Sequence, residues 1–155
     1  MTFENEIDID AAHRFFAPDC FNRTWDLINK ADRTPEEDEA MLLLSLASLW
    51  HWTQRPDCTK QNLSIGYWQV SRVYTLLRQV ENARRYAQRC LDESQGEEVP
   101  LFCLGYAFEA LARAESVAGE RARMKAYLSL AYQTAEHMTD MEAHKMLLAD
   151  LETIH

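Results

Sequence analysis

The residues with the most capacity for recognition chemistry are two arginines, Arg72 and Arg113, set 41 positions apart. Around Arg72, the residues Ile65, Trp68, Gln69 and Leu76 recur at spacings of three and four, so a helix would place all five on one face. The same offset carries that face onto Tyr106, Glu109, Arg113, Ser116 and Val117. A guanidinium is a planar fork that can hold a carboxylate or phosphate bidentately, and an aromatic beside it can cover an apolar neighbour. The pattern predicts a binding surface of Ile65, Trp68, Gln69, Arg72, Tyr106, Glu109 and Arg113. The competing reading is structural: Arg72 lies over Trp68, or Arg113 pairs with Glu109 four residues earlier.

A second place for chemistry is Trp50-His51-Trp52. A histidine among tryptophans reads as a hydrogen-bonded core residue, or as part of an aromatic pocket with Trp52. Cys58 could be drawn as a nucleophile with His51 as its base, but no spacing brings the two together. His137 and His144 are seven apart across a helix break, which does not suit a metal, and no two cysteines form a C-x-x-C pair. The acidic run Glu36 to Glu39 is a helix start rather than a cation site. Glycine-rich phosphate loops, Gly-x-Ser-x-Gly and His-Glu-x-x-His do not occur, so neither metal nor cofactor is expected.

The elements that must carry these residues read as helices. Pro18-Asp19 opens one to about Lys30, with Ala11–Ala17 as a separate turn before it. Thr34-Pro35-Glu36-Glu37 caps another to about Thr53, apolar nearly all round and therefore expected to be central. Leu63, Tyr67, Val70, Tyr74 and Leu77 give a third at intervals of four and three. Ala83, Ala87, Cys90 and Leu91 mark a fourth, 101–117 a fifth, 120–137 a sixth and 140–153 a last one. The segment Ser94 to Pro100 is a polar loop, and Gly119 marks a turn.

Two hairpins repeat at the 41-residue offset. Tyr67, Val70, Ser71 and Tyr74 align with Phe108, Leu111, Ala112 and Glu115, while Ala83, Ala87 and Cys90 align with Met124, Leu128 and Ala131. A bulky knob on one helix and small residues on its partner allow close approach, which sets Tyr74 against Ala87. This resembles the tetratricopeptide repeat over residues 63–137, with Arg78 standing where the later copy has the turn glycine Gly119 and Glu115 standing for the tyrosine. Residues 11–53 look like a degenerate first hairpin in which Ala40, Leu44 and Ala47 repeat the second-helix spacing. WHWTQ and GYWQVSRVY also look like a group of bacterial repeat-like proteins with no assigned activity. The resemblance implies an all-α fold of about seven helices. Antiparallel hairpins at about 11–53, 63–94 and 101–137 would stack as a short right-handed superhelix, capped by a helix over 140–153 and preceded by a flexible 1–10. The Arg72 face would line its concave groove.

Composition sets the limits. The chain has 155 residues, 47% apolar and 26% charged, with 4 glycines and 4 prolines, which favours one helical domain over a turn-rich β fold. The net charge of −9 disfavours a nucleic-acid partner. It is uneven: 11 acids and 4 bases over 1–50, 2 and 7 over 51–89, 12 and 5 over 90–155, or −7, +5 and −7. A basic middle between acidic ends would dock an acidic segment, unless its arginines pair with neighbouring acids. The acidic start shows no signal peptide, Cys90 and Cys103 read as reduced core thiols, and no apolar run is long enough to span a membrane. Those features predict a cytoplasmic location. The expected function is a protein- or peptide-binding module that takes an acidic or carboxylate-bearing segment. The alternatives are a small-ligand sensor or enzyme with an aromatic pocket at Trp52, Trp68 and Arg72, and a subunit that homodimerises.

Overall fold

A computed structural model describes residues 6–155 and shows, among them, seven α-helices and no strand. They are α1 (Ile9–Ile28), α2 (Pro35–Thr53), α3 (Lys60–Leu76), α4 (Val80–Glu93), α5 (Leu101–Ala118), α6 (Arg121–Glu136) and α7 (Met141–Glu152). The starts follow from local chemistry. Thr34 caps α2 in a capping box with Glu37, and Pro35 occupies its first turn. Thr59 does the same for α3 with Asn62. Asp140 accepts from the amides of Glu142 and Ala143 at the start of α7.

Helices α1 and α2, α3 and α4, and α5 and α6 pair as hairpins, with α7 laid against α5 and α6. Successive hairpins then stack, α2 against α3, α4 against α5, and α3 directly against α5. Leu49 of α2, Val70 and Tyr74 of α3 and Ala83 of α4 form one buried cluster. Ala87 of α4 meets Ala110 and Leu111 of α5 in a second. Ala112, Met124 and Ala131 join Leu147 and Leu151 of α7 in a third. Each fully buried leucine contributes on the order of 1.5–3 kcal/mol, which makes Leu147 and Leu151 the main apolar anchors of α7 on the stack. Close approach there requires Gly105, because a Cβ at that position would come within 2.6 Å of Leu147 Cδ2.

The ends of α3 and α5 turn alike. Gln79 N–H donates to Tyr74 O and Glu120 N–H to Glu115 O, the same six-residue closure at the ends of α3 and α5. Gly119 sits there at φ 77°, and Arg78, its counterpart, adopts φ 59° without being glycine.

Three expectations need correction. The separate turn at Ala11–Ala17 is part of α1, which runs through Pro18. Asp8 accepts from Ala11 N–H and fixes an earlier start, and Pro18 is exposed, where water can replace the missing donor. Helix α1 begins at Ile9, within the segment expected as a flexible 1–10, and residues 1–5 lie outside the described residues. Helix α2 is not central: Leu43 and Trp50 are exposed, because α2 belongs to the end hairpin and only α1 and α3 flank it. Its buried stripe is Met41, Ser45 and Ser48 rather than Ala40, Leu44 and Ala47. The Ser48 hydroxyl donates to Ala17 O at 2.7 Å, a bond that requires serine, not alanine, to face α1.

Candidate recognition groove

The first helices of the hairpins present their inner faces to one groove of about 630 Å³. Trp25 of α1, Ile65 and Trp68 of α3, and Phe102 and Tyr106 of α5 give it an aromatic and apolar floor. Helix α7 supplies the opposite wall with Asp140, Glu142, Met146 and Asp150. The aromatic rings are mutually fixed. Trp25 and Trp68 lie 5.5 Å apart at 36°, and Trp68 meets Tyr106 edge-on at 5.3 Å and 74°.

Behind this floor sits a polar network centred on Glu109, which is 1% exposed. Its Oε2 accepts from the Trp68 indole N–H at 2.7 Å, and its Oε1 accepts from Arg113 Nε at 2.7 Å. Arg72 approaches the same Oε1 only to 3.5 Å. Arg113 also donates to Asp150 O at 3.1 Å and to Thr153 Oγ1 at 2.9 Å, so it ties α5 to the last turn of α7. Tyr106 O–H donates to Asp150 Oδ2 at 2.7 Å. Burial pushes the Tyr106 phenol well above its ordinary value, and the bond to Asp150 pushes the same way. Burial lowers Arg72, and the neighbouring charge of Arg113 adds to that. The Arg72 Nε is buried and has no hydrogen-bond partner among the described residues.

Of the residues the sequence singled out, Trp68, Arg72, Glu109 and Arg113 share this network, and Ile65, Trp68 and Tyr106 line the groove. Three expectations do not hold. The carboxylate for the two arginines is internal: Glu109 takes both, and the cleft around Arg72 and Arg113 has no room for a water-sized guest. Gln69 is not on the groove surface. It is 1% exposed and donates through Nε2 to Phe21 O on α1, a link between hairpins. The pocket expected to join Trp52 to Trp68 and Arg72 does not form, since Trp52 is no part of the groove lining. Trp52 lies under the Arg55 guanidinium at 4.2 Å, and His51 faces His13, the two Nδ1 atoms 2.8 Å apart.

No protein-family model, no curated protein and no solved structure matches this chain.

The groove's charge comes from residues that carry no mark in the sequence. Glu142 and Asp150 lie on a helix that reads as a cap, and Trp25 reads as one position of an apolar stripe. No local signal distinguishes Glu142 or Asp150, since only the return of α7 across α5 brings them to the aromatics. Trp25 carries a weak signal, a large aromatic at four-residue spacing from Phe21. Several arginines of the basic middle are taken up internally. Arg84 makes two bonds of 2.8 Å to Glu115, which is 5% exposed in its side chain, and Arg89 donates to Tyr67 O–H at 2.7 Å. No helix among the described residues is long and apolar enough to cross a membrane.

Proposed function

We propose that the chain is a tetratricopeptide-like module that binds an extended segment of another protein in the groove of α1, α3, α5 and α7. The observation that carries this reading is the aromatic floor of Trp25, Trp68 and Tyr106, with Trp68 and Tyr106 held by part-buried hydrogen bonds and Trp25 against Trp68, facing an open groove of about 630 Å³. A pre-organised floor loses little side-chain entropy on binding, and large aromatics are the residues that anchor interfaces. Nothing in the lining resembles a reacting set. Glu109, buried behind the floor, is taken up by Trp68 and Arg113, so recognition rather than catalysis suits the geometry.

The test is to select ligands for the whole chain from a library of random short peptides and to map a selected peptide by amide chemical shifts. Shifts centred on Ile65, Tyr106 and Met146 are expected. Absence of any binder, or shifts confined to the outer surfaces of α4 and α6, would refute the reading.

One further observation favours homodimerisation as a second reading. Phe15, Phe16 and Trp50 are 60%, 40% and 55% exposed and gather around the His13–His51 pair at the outer face of the first hairpin. Sedimentation of the chain and of Trp50→Glu decides it: a dimer that Trp50→Glu dissociates supports it, and a monomer at all concentrations removes it.

A further inference from the structure

We propose that the occupant of this groove is cationic: a protein segment that carries a lysine or arginine side chain next to an apolar residue. The inference rests on the groove reading above and deepens it. Three observations carry it.

First, the lining contains Asp140, Glu142 and Asp150, and no lysine, arginine or histidine among the described residues. Glu142 is exposed and makes no ion pair among them, and Asp150 has only Tyr106 on its carboxylate. An anionic segment would bring like charges together at close range, whereas a cation would find Glu142 without an ion pair among the described residues, beside Asp150, whose charge also acts on Arg72, and Asp140, which caps α7.

Second, two of the three floor aromatics are polarised by acids. Trp68 gives its N–H to Glu109 and Tyr106 its O–H to Asp150, both at 2.7 Å. A hydrogen bond donated to a carboxylate pushes electron density back into the ring, and a ring richer in electrons attracts a cation more strongly over its face. The same floor repels a carboxylate.

Third, the arginines that would have favoured an acidic guest are spent. Arg113 is bound to Glu109, Asp150 O and Thr153, and the cleft beside Arg72 is closed. The aliphatic stem of a lysine or arginine suits the apolar floor, with its head group toward Glu142 and Asp150. The adjacent apolar residue falls against Ile65 and Met146.

The experiment uses the selected peptides on the full chain and on two variants. Glu142→Gln/Asp150→Asn removes both charges while leaving an amide oxygen that can still accept from the Tyr106 hydroxyl. Ile65→Ala/Met146→Ala trims the apolar wall without touching charge, and Met146 is 62% exposed, so the fold tolerates it. Enrichment of lysine or arginine beside apolar residues is expected, with binding weakened about tenfold or more in each variant. Enrichment of aspartate or glutamate, or binding that Glu142→Gln/Asp150→Asn leaves unchanged, overturns the cationic occupant. In that case a loss in Ile65→Ala/Met146→Ala still supports the groove. Peptides indifferent to both variants overturn the groove reading as well.

Discussion

Trp68 of α3 and Glu109 of α5 stand 41 residues apart, and the indole N–H of one donates to the carboxylate of the other at 2.7 Å. Stacking α3 on α5 brings the two face to face, so the 41-residue offset is realised as a direct bond across the hairpin interface. Glu109 is thereby the joint of the stack. It holds α3 through Trp68 and α7 through Arg113.

Removing that joint should therefore cost far more than removing Arg72. Glu109→Leu leaves the Arg113 guanidinium buried without its anion and is expected to destabilise by about 3–5 kcal/mol. Arg72 has one 3.5 Å contact to Glu109 and a buried Nε without a partner, so Arg72→Met should change stability by no more than about 1 kcal/mol. Urea midpoints of the two variants check this, and equal losses would contradict the assigned hierarchy. Arg113→Ala belongs with Glu109→Leu, because it unties α7.

Arg78 supplies a gain. Its φ of 59° costs a residue with a Cβ about 1–2 kcal/mol that glycine avoids. The more mobile unfolded chain returns part of that, so Arg78→Gly should stabilise by about 0.5–1 kcal/mol. Thermal unfolding measures it, and a lower midpoint would show that the Arg78 side chain makes a compensating contact.

Ala87 is fully buried beside Ala110 and Leu111, at the contact between the second and third hairpins. Ala87→Leu should overpack it and destabilise by about 1–3 kcal/mol. A denaturant midpoint unchanged from that of the native chain would contradict this. The repeat alignment sets Tyr74 against Ala87, but Tyr74 clusters with Ala83 and stacks on Tyr86 at 5.5 Å. Tyr74 is near the end of α3, and an antiparallel α4 sets its first turns opposite that end. Ala83→Leu is the variant that should instead disturb the tyrosine stack, seen as a change in near-ultraviolet circular dichroism.

The His13–His51 pair predicts a pH dependence. Burial lowers the His51 pKa below its ordinary 6.5, and the facing His13 lowers it further. A group whose folded pKa is depressed favours folding in its neutral form. Its contribution is present above the unfolded value and is lost as pH falls through the folded one. The melting temperature should therefore drop on acidification from about pH 7 to about pH 5, and less steeply in His13→Gln/His51→Gln. An identical slope in that variant would assign the acid sensitivity to other groups.

Much of this is legible along the chain because it is local. Thr34-Pro35-Glu36-Glu37 contains its own capping box, Gly119 its own left-handed turn, and the three-and-four spacing of Tyr67, Val70 and Tyr74 its own buried face. The shared face of Ile65, Trp68 and Arg72, and its copy at Tyr106, Glu109 and Arg113, follow from helix periodicity alone. What those residues bind does not. An arginine's partner is set by distance in space, and only the packing of α3 on α5 delivers Glu109 to Arg72 while α5 itself delivers it to Arg113. The sign of the groove is likewise tertiary. Glu142 and Asp150 come from a helix whose sequence reads as a cap, and they reach the aromatics because Leu147 and Leu151 drive α7 onto α5 and α6. Periodicity fixes which side chains share a helix face. Burial of one helix against another decides which charges face each other, because that depends on where the chain returns.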